Sequence, residues 1–375
     1  MSAYLPFARP LLDEDMIAAV ADTLRSGWIA SGPRVLEFER ALSTYHGARP
    51  VRTFTSATAA MEVAFQACGI GPGDEVVTSA MTFFSVGNMI RKAGAAVVFV
   101  DCDLETRNMQ PEAVARVLTP KTRAIVPTHF AGLPCDMDGL LALAAGRGIR
   151  VIEDAALAIG SRSKGRRIGA FGDITTFSFH PNKNMTTIEG GAAVFPREEE
   201  ARRAETLRFH GISRLPDGTR DVDFPGGKFN LSDVSARLGL EQLARLDDWC
   251  AARRTLAARY FERLEGRTPV MLPARAPAGE PEAHSWNMFC VRLPLATMRL
   301  TRKAFIDAMH ARGIGIGISY EAMHLTTLFR ALGHREGNFP NAERIARETV
   351  TLPLHAAMES ADVDRVCDAL AELVR

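Results

Sequence analysis

The chain has 375 residues, 47% hydrophobic and 24% charged, enough to bury a large core without staples and suggesting about two to three domains. Its 45 Lys+Arg balance 44 Asp+Glu, a formal net charge of +1 that excludes the footprint of a nucleic-acid or anionic-membrane binder. The opening MSAYLPFARP is no secretory leader, no apolar run approaches the roughly 18 residues of a membrane span, and the six scattered cysteines form no C-x-x-C pair. A cytoplasmic protein with reduced thiols and no metal site is predicted.

Taken in chain order, the first informative stretch is TFTSATAAMEVAFQACG. Thr55 or Ser56 caps a helix predicted over Thr58–Cys68, and its first turn is small: Ala57, Thr58, Ala59, Ala60. Small residues let an anion approach free backbone N–H groups where the helix dipole favours negative charge, although a plain capped helix has the same pattern. The run EVVTSAM (75–81) then reads as an inner strand, followed by MTFFS (81–85), where Phe83 can stack on a flat ring or simply pack the core.

The runs AAVVFVD (95–101) and AIVPTHF (124–130) predict two further strands, and Met137–Gly146 an amphipathic helix. The strand VIEDAA (151–156) ends on Asp154, a carboxylate that needs a partner if buried. A helix N-cap or an arginine's partner is the plain reading; a carboxylate holding a pyridinium nitrogen is the functional one. ITTFSF (174–179) and GAAVF (191–195) are strands, and between them lies HPNKNMTTIEG with Lys183 between two asparagines. A lysine of ordinary pKa (~10.4) is a poor nucleophile, and most loop lysines are solvated. Partly buried, it loses its proton and can form a Schiff base.

The pattern from Ser232 to about Leu264 predicts one long helix opened by a Ser cap. PARAPAGEPEAH (273–284) is turn-rich, and beyond it FCVRLPL, TRKAFIDAMHARG and SADVDRVCDALAELV predict a strand and two helices of a smaller α+β unit. Alternating strands and helices call for an α/β fold with a mostly parallel central sheet covered on both faces, divided into residues 1–245 and a smaller 246–375 that begins with the long helix. Such sheets bind ligands at the carboxyl ends of their strands. GIGPGD (69–74) and GIGIG (313–317) lack dinucleotide-binding spacing, SRSK (161–164) has no K-T-G partner, and the nine histidines show no metal-ligand spacing.

Together, LPFARP, TSATAAM, GDEVVTSAMTFFS, VIEDAA, FSFHPNKNMTTIEGG, RFHG, GGKFNLSD and TLPLHAAM resemble the DegT-type sugar aminotransferases over nearly the whole chain. Within that family LPFARP, FHPNKN and GGKFNLSD are most similar to the branch that makes UDP-4-amino-4-deoxy-L-arabinose. The resemblance implies the fold-type I architecture of enzymes dependent on pyridoxal 5'-phosphate (PLP), with glutamate/2-oxoglutarate and a keto-sugar nucleotide as substrates. It implies Lys183 as the Schiff-base lysine, Asp154 as partner of the pyridine nitrogen, Ala57, Thr58 and Ser178 as the phosphate site, and Phe83 over one ring face. Lys228 and Asn230 would reach the neighbouring subunit's site in a homodimer with shared active sites, and His180 and His324 would contact the sugar nucleotide. One position departs from the family: Leu157 stands where Gln or His is usual. The alternatives are a dTDP- or GDP-linked 4-keto-6-deoxy sugar as acceptor, or a PLP-binding regulatory protein without turnover.

Overall fold

The computed structural model describes residues 4–374. Its centre is a seven-stranded sheet of β1 (Val51–Phe54), β2 (Glu75–Ser79), β3 (Ala96–Val100), β4 (Thr122–Val126), β5 (Arg150–Asp154), β6 (Ile174–Ser178) and β7 (Gly191–Val194), in the order β1-β7-β6-β5-β4-β2-β3. β2 to β6 pair in parallel; β7 runs antiparallel to both its neighbours, β6 and β1. The α/β architecture and all six strands read from the sequence are present, five of them within one to two residues; the strand expected over 124–130 runs instead over Thr122–Val126, ending before Pro127. The added strand, β1, is only VRTF, too short and too polar to announce itself.

Side chains alternate between the two faces, as the strand period requires. Val77, Ile125, Val151, Phe177 and Val194 enter one core; Val76, Val126, Ile152, Ile174 and Ala193 enter another. Both faces are buried, so these strands read as continuous apolar runs. Helix α1 (Glu14–Arg25) leads to α2 (Pro33–Tyr45), which brings Phe38 and Leu42 to the first core, while α3 (Ala57–Ala67) brings Met61 and Phe65 to the second.

The single helix expected over 232–264 is two, α4 (Asp233–Ala244) and α5 (Leu246–Leu264). At Arg245 (φ −109°, ψ 0°) the backbone N–H turns back to the Gln242 carbonyl and the axis is interrupted. The break has a packing cause: α4 lies against α1 and α2, whereas α5 pairs with α6 (Ser360–Leu373). Helical periodicity passes through the break unchanged, so the sequence pattern does not register it.

The second unit is built on the antiparallel pair β8 (Phe289–Arg292) and β9 (Thr349–Leu352). Its core holds Tyr260, Phe289, Phe305, Val350 and Val366, with Tyr260 stacked on Phe289 at 4.6 Å. The expected division at 245/246 is crossed in both directions. Leu5 packs into this second core beside Ile314, while Leu246 and Cys250 complete the first. Among the described residues no helix is long and apolar enough to cross a membrane.

Candidate active site

The parallel strands end at one edge of the sheet, and the sequence places a polar residue just past most of these ends. Ser56, Ala57 and Thr58 follow β1; Phe83 follows β2; Thr128 follows β4. Asp154 closes β5, and Ser178 closes β6 ahead of the lysine loop. Because β7 is reversed, its first residue, Gly191, and the preceding Gly190 return to the same edge. All of these but Gly191 line one cavity of about 240 Å³, which Lys183 enters together with Leu157, His180 and Tyr320.

Ser56 is the helix cap: its Oγ accepts from the Ala59 N–H at 3.0 Å. Gly191 lets β7 begin against this helix start, since a Cβ there would lie 2.4 Å from the Ala57 nitrogen. Asp154 is 5% exposed and makes no ion pair among the described residues; its Oδ1 accepts from the Ala156 N–H (3.1 Å) and its Oδ2 faces the Thr128 hydroxyl (3.5 Å). Burial raises the Asp154 pKa despite those donors and the Lys183 charge. Thr128 is fixed in turn by Thr82 at 2.7 Å.

Burial also lowers the Lys183 pKa, to about 8, and the Asp154 charge only partly restores it. A neutral amine is therefore available near neutral pH, in the cavity that holds the unpaired carboxylate. Trapping of a small aldehyde on Lys183 in the cofactor-free protein should rise with pH and level off with a midpoint near 8, not above 10; cyanoborohydride fixation followed by peptide mass spectrometry reads this out. The same depressed value penalises the protonated form in the fold. That destabilisation is full below pH 8 and relieved as pH rises from 8 towards 10.5.

The asparagines flanking Lys183 hold its loop. Asn184 Nδ2 donates to the Ile159 and Ser285 carbonyls, and Asn287 Nδ2 donates to the Asn182 carbonyl and Asn184 Oδ1. Thr186 donates from Oγ1 to the Phe179 carbonyl, and its N–H to Gln242 Oε1. Asn287, Gln242, Thr128 and Tyr320 were invisible as site residues in the sequence, because they come from segments distant in the chain and carry no motif.

Of the residues singled out from sequence, Ala57, Thr58, Phe83, Asp154, Ser178, His180 and Lys183 all line the cavity. His180 is exposed at its rim and pairs through Nδ1 with Asn182 Oδ1 at 2.9 Å. Lys228 and Asn230 do not line it; they bond to each other on the surface, Lys228 lying over the Phe209 ring at 4.9 Å and Asn230 donating to Ser31 Oγ. His324 is a correction. It is fully buried against Phe339, with Nε2 2.9 Å from Glu343 Oε1, so its ring serves a buried pair and lies outside the cavity lining. Leu157 is buried and lines the cavity with an apolar surface.

Residues 10–371 match the DegT/DnrJ/EryC1/StrS aminotransferase family. The spore coat polysaccharide biosynthesis protein SpsC of Bacillus subtilis (strain 168) is 37% identical, covering 99% of this chain and 97% of its own. The putative sugar aminotransferase Spr1654 from Streptococcus pneumoniae, solved in a PMP-form and a PLP-form, superposes with TM-scores of 0.93 and 0.92 at 31% identity, over 99% of this chain and 98% of its own. The aminotransferase TlmJ from Streptoalloteichus hindustanus gives a TM-score of 0.90 at 33% identity, over 98% of both chains.

Proposed function

Since the chain belongs to the DegT/DnrJ/EryC1/StrS aminotransferase family, we propose that it moves an amino group from glutamate to a keto-sugar nucleotide, with PLP held in the Lys183 cavity. Enzymes of this family depend on that cofactor. When bound, PLP supplies an electron sink that lets an amino acid give up its α-proton.

The residues present fit the group, and one observation carries the reading: a lysine of depressed pKa and a buried carboxylate without an ion pair share one cavity. Asp154 would keep the ring nitrogen protonated, and the positive ring would in turn relieve a carboxylate that burial disfavours. The start of α3 at Ala57 and Thr58, joined by the Ser178 hydroxyl, would take the phosphate, where free N–H groups and the helix dipole favour an anion. Phe83, at the mouth, would cover one ring face, and Leu157 supports the ring by apolar contact alone. Lys183, neutral near pH 8, takes the proton from the donor's α-carbon and returns one at the sugar carbon.

The acceptor is read as a 4-keto sugar, with a UDP-linked 4-keto-pentose as first candidate and dTDP- and GDP-linked 4-keto-6-deoxy sugars next. LPFARP and GGKFNLSD support the first choice, and SpsC's name supports a role in surface polysaccharide. A homodimer with shared sites is part of the proposal. Leu24, Trp28, Ile29 and Leu36 are each about half exposed along the first two helices and the turn between them, and Lys228 and Asn230 face outward. Four large apolar side chains left exposed within thirteen residues of chain suit a partner surface. Trp28→Glu should weaken self-association more than roughly tenfold, as loss of an interface anchor does, with light scattering reading the mass; an unchanged dimer would remove this part of the reading.

The test of the reaction is spectroscopic. Glutamate added to the PLP-loaded protein should bleach the cofactor's absorbance band and release 2-oxoglutarate, and a panel of UDP-, dTDP- and GDP-linked 4-keto sugars should restore the band. No change with glutamate, despite bound PLP, would favour a binding protein without turnover.

A further inference from the structure

A second chamber, of about 210 Å³, adjoins the Lys183 cavity and shares Phe83, Asn182 and Tyr320 with it. Its outer walls come from the N-terminal segment at Phe7, from Phe84 and from the loop ending at Glu321. Among the described residues no lysine, arginine or histidine lines it, and Glu321 is its one charged side chain. Such a chamber cannot neutralise a pyrophosphate or a carboxylate, and Glu321 repels both. The rings of Phe7, Phe83 and Phe84 offer apolar faces to C–H groups, beside amide, hydroxyl and carboxylate groups that suit a neutral, polyhydroxylated ring.

Most of its other polar groups are already engaged. Ser319 Oγ accepts from Thr351 Oγ1 at 3.0 Å, and Asn287 Nδ2 serves the lysine loop. The Tyr320 hydroxyl and the Glu321 carboxylate have no hydrogen-bond partner among the described residues. The Tyr320 ring is held by Phe83 at 5.6 Å and Phe130 at 5.9 Å, which fixes its place at the boundary of the two cavities. Burial and the nearby Asp154 charge raise the Tyr320 pKa, so the hydroxyl stays protonated and acts as a donor.

We propose that this second chamber receives the neutral sugar ring of the keto substrate, with Tyr320 donating to and Glu321 accepting from the ring's oxygens, and with the pyrophosphate held outside it. The assignment rests on the aminotransferase reading of the Lys183 cavity and adds the residues that select the acceptor.

The test uses the PLP-loaded protein and calorimetric titration with UDP-glucose, dTDP-glucose and GDP-mannose, each beside its free nucleoside diphosphate. At least one sugar nucleotide should bind about tenfold tighter than its diphosphate. Tyr320→Phe and Glu321→Gln should each remove roughly threefold to tenfold of that advantage, the size of one lost hydrogen bond, and leave the diphosphate's affinity as it was. Equal wild-type affinities for sugar nucleotide and diphosphate, variants that weaken both alike, or variants without effect would each overturn the assignment. Bleaching by glutamate, measured first on the wild type, separates the two claims: its absence sinks the amino-transfer reading, while its presence with a failed titration sinks only the chamber.

Discussion

Lys183→Ala is expected to slow amino transfer at least ~10³-fold, since it removes both the amine that engages the cofactor and the group that moves the proton. The substitution removes a half-buried amine whose charged form burial disfavours, so the fold has no reason to suffer. Borohydride reduction of the PLP-loaded wild type should leave an adduct on the peptide bearing residue 183, and the variant should show none. Lys183→Arg should be equally inactive, because a guanidinium stays protonated at any working pH. An adduct on another lysine, or a variant within tenfold of wild type, would end the proposed role.

Asp154→Asn separates activity from stability. The carboxamide keeps the acceptor for the Ala156 N–H but loses the negative charge. Amino transfer should fall by roughly 10²–10³-fold, the scale for deleting one preorganised electrostatic partner. The cofactor-free variant should unfold later than wild type at pH 7, because a buried carboxylate without an ion pair is costly. The sign follows from the raised folded pKa: the folded wild type holds its proton to higher pH than the unfolded chain does, so stability falls as pH rises above the ordinary 3.8. That decline should be absent in Asp154→Asn. Urea denaturation across pH measures it, and parallel curves would contradict the assigned burial cost.

Much of this was legible in the sequence, for a physical reason. Residues at the carboxyl ends of parallel strands are reached by short loops, so chemistry and strand pattern sit together: Asp154 on the last residue of VIED, Ser178 on the last of ITTFS, Lys183 five further on. Proximity of Asp154 to Lys183 thus followed from topology. The supporting residues were not legible. Asn287 arrives from the second unit, Tyr320 from the loop behind it, and Gln242 from the last turn of α4. No local period encodes a meeting between segments so far apart in the chain. His324 shows the converse error, since a histidine flanked by motif-like residues can be consumed by a neighbouring carboxylate, and only the fold reveals Glu343 at 2.9 Å.

The reversed strand β7 has a mechanical consequence. Had the chain gone on to another parallel strand after β6, it would have needed a long crossover, and the lysine would ride at the start of a wandering connection. Turning straight back pairs Ser178 with Gly191 and ties the Phe179 N–H to the Gly190 carbonyl, closing the lysine's segment at its neck. The proposed nucleophile therefore projects on its four methylenes from a loop whose two ends are hydrogen-bonded to each other, so its reach is set by the side chain and not by a long free connection.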